Sequence, residues 1–484
     1  MSDLAFESAH VLARRLHDRE IGCLELLEHY IARADRYDGT LNALIVRDDD
    51  RARVRAREAD AALVRGEVWG PLHGVPMTIK ESYDIAGLPT TWGLEHLRGN
   101  IAVKNSVVVD RMLAAGVTLF AKSNVPVLLA DWQSYNPIYG STSNPWDTGR
   151  TPGGSSGGGA AALAAGMTAL ESGSDIGASI RNPAHYCGVF GHKPTWGIVP
   201  PRGHATPGVI APADISAVGP LARSAEDLEI ALDAMAGPYG LDANCWRLEL
   251  PPSTKTEAKD FKVAVMLSDP NCAQDDAMTE VLEAAVATLA RAGVRVDGKA
   301  RPAIDTTEAH RVYIQLLRAA TSARQSDEDM DRQRAILAEA APDDESYVVA
   351  AARGNTLSHR DWIHLNEKRT HMREAWGAFF EEYDLLLCPV AASTAFPHDQ
   401  EGERHTRTIL INNVPVPTTD QLFWAGYSGA VLLPSSVAPA GLAQGLPCGL
   451  QIVAAHGHDK TALAFAKLME REVGGFVPPP GYDG

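Results

Sequence analysis

Apolar residues recur at roughly helical spacing through the first sixty-odd positions. Val11, Leu12 and Leu16 stand among charges, followed by Leu24, Leu26, Leu27, Tyr30 and Ile31. This is the signature of amphipathic helices. The mixed-sign run "RDDDRARVRAREADAAL" reads as the solvated face of a further helix. The texture then changes. "GVPMTIKESYDIAG" has a short apolar core, Val75 to Ile79, bounded by Gly74 and Gly87, and "AAGVTLFAKSNVP" ends a helix and begins a strand over Val117 to Ala121. The alternation continues beyond Pro200. A helix is expected near Ser224 to Met235, a strand in "FKVAVML", a helix over Met278 to Ala292, and strands in "YDLLLCPVAA", "AVLLPSSVAP" and "PCGLQIVAA". Strands alternating with helices imply an α/β layer architecture.

Between about Thr306 and Trp376 the chain is instead helical and charge-rich, with no strand signal. Two roles are open to that block: a surface-covering segment beside a substrate entrance, or plain scaffold. No internal repeat appears and no stretch reads as a linker, so residues 1–484 are expected to form one large domain.

The 484 residues carry a formal net charge of −17 without a block of basic residues, which argues against nucleic acid or an anionic membrane as the main partner. The N-terminal "MSDLAFESAHVLARRLHDRE" lacks a basic segment followed by an apolar one, and no apolar run is long enough to span a bilayer. A cytoplasmic protein is expected. The six cysteines are scattered without a C-x-x-C pair and read as small buried hydrophobes. There is no H-E-x-x-H, and His456-Gly-His458 reads as loop, so no metal is expected.

The stretch "RTPGGSSGGGAAALAAGMTALESGSDIGASIRNPA", from Arg150 to Ala184, departs from the rest of the chain. Dense glycine is either a tether or a backbone held in shapes other residues cannot adopt. This run leads directly into the helix former "AAALAAG", the strand-like "MTALESG" and a second turn, "SDIGAS", which removes the tether reading. A loop whose amides point inward at a helix N-terminus can hold an anion or a developing oxyanion. A phosphate loop would end in Gly-Lys-Ser/Thr, and none follows. Gly153 to Gly157 matches G-x-S-x-G by letter, but "WDTGRTPGG" before it is no apolar strand, so the match is a decoy. A Ser-His-Asp arrangement stays open, with His192 the histidine closest in sequence.

Gly-Gly-Ser-Ser-Gly-Gly, a small-residue helix and then Gly-Ser-Asp-Ile-Gly-Ala-Ser-Ile-Arg-Asn-Pro-Ala resemble the signature segment of the amidase signature family of serine hydrolases. "GVPMTIKESYDIAG" is similar to that family's lysine-bearing strand, and "STSNPWDTGRTPGGSSGG" and "CGVFGHKPTWGIVPPRG" resemble its flanks. "LLCPVAASTAFPHD" and "VAPAGLAQGLPCGLQIVAAHGHD" extend the likeness toward the C-terminus; it is weakest between about Asp242 and Tyr383. The fold implied is a central, mixed, twisted β-sheet covered on both sides by α-helices.

The resemblance implies roles position by position. Ser179 falls at the nucleophile, Ser155 at a bridging serine that sits on a cis peptide bond, with Gly154 a supporting residue, and Lys80 at the general base. A lysine can serve as a base only if burial lowers its pKa. Neutral Lys80 would draw a proton through Ser155 while Ser179 attacks a carbonyl. The backbone N–H groups of Ile176, Gly177, Ala178 and Ser179 would receive the oxyanion. Ser156 is assigned to ordering the loop. Asp175 and Arg181 flank the turn, either as braces or as an ion pair with no direct part in the chemistry. The family most often has two glycines before the nucleophile, whereas this chain has Gly177 and Ala178, a change that is strained if φ is positive.

The activity implied is hydrolysis of amide bonds, with esters and carbamates open to the same acyl-enzyme logic, in small to medium aryl or alkyl substrates. The alternative is an amidase-type component that releases ammonia for an amidotransferase complex. A non-catalytic scaffold is disfavoured by retention of all three matched positions. Tyr135, Ile138, Tyr313, Leu317, Phe423 and Trp424 are the candidates for lining the substrate pocket. The chemistry requires no cofactor, and a homodimer is one assembly the sequence allows.

Overall fold

The computed structural model describes residues 4–482; the outermost ends of the stretch read as one domain lie outside the described residues. A mixed sheet of eleven strands runs through it. From one edge its order is Leu44–Arg47, Thr118–Ser123, Pro76–Lys80, Leu170–Asp175, Ala217–Ala222 and Phe190–Lys193. It continues through Ser435–Ala443, Leu446–Ala454, Leu385–Pro389, Lys262–Val265 and Arg295–Asp297.

The Pro76–Lys80 strand lies parallel to both neighbours, Thr118–Ser123 and Leu170–Asp175, and every residue of it is buried. That explains its unbroken apolar run: a parallel strand covered on both faces has no solvent side to alternate toward. Leu170–Asp175 then pairs antiparallel with Ala217–Ala222. Lys80 and the start of the "SDIGAS" turn thus stand at the same ends of adjacent parallel strands.

Helices flank the sheet. Leu12, Leu16, Leu26, Leu27 and Tyr30 from the first two long helices, Ala9–His17 and Cys23–Leu41, are buried in the largest hydrophobic cluster. The third, Asp49–Val64, buries alanines and turns its arginines outward or against carboxylates and carbonyls. One element of this region escaped the helical pattern. The four-residue strand Leu44–Arg47 pairs antiparallel with Thr118–Ser123, and "LIVR" is too short to announce a strand between two helices. "AVLLPSSVAP" is also corrected: its strand starts only at Ser435. Before it, Leu432 turns with φ of 67°, and Val431 to Leu433 are buried in the connection rather than in the sheet.

The Gly157–Ala164 helix, "GGGAAALA", is buried at every residue. Its glycines are needed for approach rather than for flexibility. A Cβ on Gly158 would come within 2.3 Å of the Asn124 amide nitrogen, and one on Gly159 within 2.4 Å of Glu171 Cγ. The helix therefore lies against the sheet at a distance only a hydrogen side chain permits. Residues 306–382 form four helices, Thr306–Ser322, Asp327–Glu339, Tyr347–Asn355 and His359–Glu382. The first packs against Tyr347–Asn355 and against the buried helix Leu422–Gly429. Among the described residues no helix is long and apolar enough to cross a membrane.

Candidate active site

Lys80 ends its strand with no exposed surface. Its Nζ lies 2.7 Å from Ser155 Oγ, 2.9 Å from Ser156 Oγ and 2.9 Å from Ser174 Oγ. Burial pulls its pKa down to about 7, against the opposing pull of Asp175 and Glu171. The neighbouring Glu171 shifts the other way for the same reason: burial raises it to about 8, although Thr78 and Ser123 hydroxyls donate to it. An interior that disfavours charge brings the lysine into its titration range at neutral pH, so that a large share of it is neutral, and keeps the glutamic acid mostly protonated.

Ser155 follows a cis peptide bond from Gly154. A Cβ on Gly154 would stand 2.3 Å from the carbonyl oxygen of Asp131 and 2.8 Å from the amide nitrogen of Gln133, so the loop is pressed directly onto another backbone. Ser156 places its hydroxyl between Lys80 and the Ser174 backbone and its amide donates to the Ser179 carbonyl, at 3.1 Å. That bond ties the glycine-rich loop to the second turn. No hydrogen bond joins the Ser155 and Ser179 hydroxyls among the described residues, but both residues open onto one cleft. Ser155 is 1% exposed and Ser179 5%.

Asp175 organises the turn. Its carboxylate accepts from the backbone amides of Ala178 at 2.9 Å, Ile180 at 3.2 Å and Arg181 at 3.4 Å. It also takes Nε and Nη2 of Arg181 in a two-pronged pair at 2.9 and 2.8 Å. The remaining Arg181 donors reach Ser428, Gln451 and the Ala425 carbonyl, and both charged groups are completely buried. Arg181 and the amides hold the Asp175 carboxyl below its usual range in spite of burial, which pulls it up.

This arrangement corrects one expectation. The Ala178 N–H, placed among the oxyanion donors, is taken by Asp175. Ala178 also has φ of 66°, the left-handed conformation in which a methyl group is strained. The carbonyls of Gly177 and Ile176 are fixed by the Trp132 indole, at 2.8 Å, and the Tyr313 hydroxyl, at 3.4 Å. The amides of Ile176, Gly177 and Ser179 then have no partner among the described residues.

The cleft has a volume of about 740 Å³ and is bordered by Ser155, Ser174, Ile176, Gly177 and Ser179. Of the expected pocket residues, Leu317 lines it. Tyr313 braces the turn from behind. Tyr135 is engaged by Arg407, and Ile138 belongs to the small hairpin beyond it. Phe423 and Trp424 are buried in their helix, which reaches the cleft through Leu422. The walls come instead from Trp92, Leu97, Leu128, Leu129 and Trp132, whose role only the folded chain reveals. Ser174 was also missed, although its place at the Lys80 end of a serine-bearing strand is a signal that pairing the two strands supplies.

His192 does join a serine and an aspartate. Its Nδ1 is 2.9 Å from Ser436 Oγ and its Nε2 is 3.1 Å from Asp459 Oδ1. All three are fully buried and none borders the cleft. Asp459 also accepts from the Thr195 amide and hydroxyl, at 2.8 and 2.6 Å, so the array braces two strands and a helix start. Five cysteines are buried as expected, while Cys245 is exposed.

A model of the amidase family matches residues 25–463. The chain belongs to the amidase signature family. It is 31% identical over 482 residues to an acylamidase of Rhodococcus erythropolis, covering 97% of this chain and 96% of the relative. It is 32% identical over 491 residues to a glutamyl-tRNA(Gln) amidotransferase component from an Anaeromyxobacter species, covering 96% and 95%. Among solved structures, a chain from a vestigial protein complex bearing on the origins of an s-triazine catabolic enzyme is 28% identical. It superposes with a TM-score of 0.81, covering 98% of this chain and all of the other. Membership in this family makes the protein an amide hydrolase acting on carbon–nitrogen bonds, and the mixed sheet flanked by helices is the family's fold.

Proposed function

We propose that the protein cleaves amides of small to medium aryl or alkyl substrates through an acyl-enzyme on Ser179, with Ser155 as the proton bridge and Lys80 as the base. The observation that carries this reading is the 2.7 Å approach of Lys80 Nζ to Ser155 Oγ in a fully buried setting that lowers the amine to about 7, so that its neutral form is well populated near neutral pH. A neutral amine has two N–H groups and one lone pair. Nζ stands within donor reach of all three serine oxygens; with Ser156 and Ser174 accepting its two N–H bonds, the neutral amine has its lone pair left for the Ser155 hydroxyl.

In the forward step Lys80 takes the Ser155 proton as Ser155 takes that of Ser179, and Ser179 Oγ adds to the carbonyl carbon. The unpartnered amides of Ile176, Gly177 and Ser179 receive the oxyanion; Ala178 serves indirectly by anchoring the turn to Asp175. Collapse returns the proton through Ser155 to the departing nitrogen, and water then releases the acid by the same route. Esters and carbamates present a carbonyl to the same amides. The reading places the protein in the cytoplasm, without a cofactor, acting as one domain.

A second reading, a component that releases ammonia to an amidotransferase partner, is favoured by the 32% identity to the amidotransferase relative. Product release from a primary amide, an anilide, an ester and an aryl carbamate, compared between the wild type and Ser179→Ala, tests the first. Release that is abolished by the substitution supports it. Release that persists in Ser179→Ala overturns the nucleophile assignment, and glutamine-dependent ammonia release that appears only with a copurifying partner favours the second reading.

A further inference from the structure

The cleft that serves Ser179 is bordered by more arginines, Arg202, Arg318, Arg324 and Arg404, than carboxylates, Asp131 and Asp329, although the chain as a whole is acidic. Arg318, on the Thr306–Ser322 helix, and Arg404 both border it, and both donate to the single phenol oxygen of Tyr347. Neither forms a salt bridge among the described residues. Arg318 Nε is buried without any partner, and Arg404 otherwise reaches only the Ala130 carbonyl. A third arginine of the same wall, Arg324, lies over the Trp92 ring at 5.0 Å and also lacks a carboxylate. Of the two carboxylates bordering the cleft, Asp131 is bonded by Arg407 at 2.8 Å and its charge is shared between Arg407 and Arg404, which leaves Arg318 without one, and Asp329 is held by Arg332.

Two guanidinium groups meeting at one neutral oxygen repel each other. Burial and that proximity lower Arg318 to about 9, still protonated at neutral pH. An anion with two oxygens would satisfy both planar groups, and guanidinium forks match carboxylate geometry. We propose that Arg318 and Arg404 form a subsite for a carboxylate at the far end of the amide substrate.

The position of the subsite sets the kind of amide. Tyr313, on the same helix, touches the Ile176 carbonyl at the turn before Ser179, and Arg318 lies five residues farther on, about 7.5 Å along the axis. The carboxylate is therefore remote from the scissile carbonyl, with an apolar spacer passing Leu317, Leu128 and Leu129. With Asp131 and Asp329 already paired, the cleft has no free carboxylate to receive an α-ammonium group, so free amino-acid amides such as glutamine fit it poorly. This substrate class rests on the hydrolytic reading above.

The test compares suberamate, the eight-carbon monoamide ending in a carboxylate, with octanamide and with the shorter succinamate. The quantity read is the kcat/KM ratio of suberamate to octanamide in the wild type, Arg318→Gln, Arg404→Gln and the charge-retaining Arg404→Lys. A wild-type ratio of about tenfold or more is expected. It should collapse toward one in both glutamine variants and be partly kept in Arg404→Lys, with succinamate a poor substrate throughout. A ratio near one in the wild type, or one unchanged by the substitutions, overturns the subsite. Calorimetric binding of suberamate and octanamide to Ser179→Ala, with and without Arg404→Gln, separates the two claims. Arginine-dependent preference for suberamate without turnover of any amide by the wild type would sustain the subsite and sink the hydrolytic reading. Turnover without that preference would do the reverse.

Discussion

Lys80 Nζ and Ser155 Oγ stand 2.7 Å apart across the gap between a buried strand end and a glycine-rich loop. Because burial lowers Lys80 to about 7, its amine is mostly neutral above that pH and protonated below it. The rate constant kcat/KM should therefore rise with pH, level off above about 7 and fall about tenfold for each further unit of acidification. A pH–rate profile checks this, and Lys80→Ala should abolish the rise together with most of the activity. A profile flat from pH 5 to 9 would remove Lys80 as the base.

Ser174 contributes one of three hydroxyls around the Lys80 nitrogen. Its loss leaves Ser155 and Ser156 in place, so Ser174→Ala should cost about 1 kcal/mol of stability and lower kcat by about tenfold or less. Ser155→Ala should lower it far more, since the proton route passes through that oxygen. Steady-state kinetics on both variants distinguishes a residue that positions the amine from one that carries the proton.

Asp175→Ala strands the buried Arg181 guanidinium and frees three backbone amides at once. Removing one partner of a buried ion pair costs about 3–5 kcal/mol. Denaturant unfolding should show that loss, and activity should disappear because the turn before Ser179 loses its anchor. A change under about 1 kcal/mol would mean that the pair does not hold the turn.

Ala178 adopts φ of 66° with its side chain fully buried. Ala178→Gly removes the clash of the methyl with the left-handed backbone while adding chain entropy to the unfolded state. The balance should be a gain of about 0.5–1 kcal/mol. Thermal unfolding measures it, and the activity of this variant reports whether the methyl narrows the space beside the nucleophile.

Gly154→Ala should act in the opposite sense. Its Cβ would press on the backbone of Asp131 and Gln133, which cannot yield as a flexible side chain would. The expected cost is about 1–3 kcal/mol or more, with displacement of Ser155 and loss of activity. A variant of native stability and activity would show that the loop has more room than this geometry gives it.

The sequence by itself determined the alternation of strands and helices and the glycine-serine segment that packs against the sheet. Local periodicity and a fixed order of small residues are properties of neighbouring positions; Lys80, Ser155 and Ser179 were singled out only through the resemblance of their segments to the amidase signature family. Tertiary structure alone decided what depends on residues far apart in the chain. Ser174 meets Lys80 only because two parallel strands pair. The Ala178 amide is spent on Asp175 because the turn folds back on the strand that precedes it. Phe423 and Trp424 proved to be packing residues and the Tyr135 hydroxyl is taken by Arg407, whereas Leu128, Trp132 and Arg404 face the cleft. Apolar or charged character is visible in a sequence, but the direction in which a side chain points is fixed only when distant elements close around it.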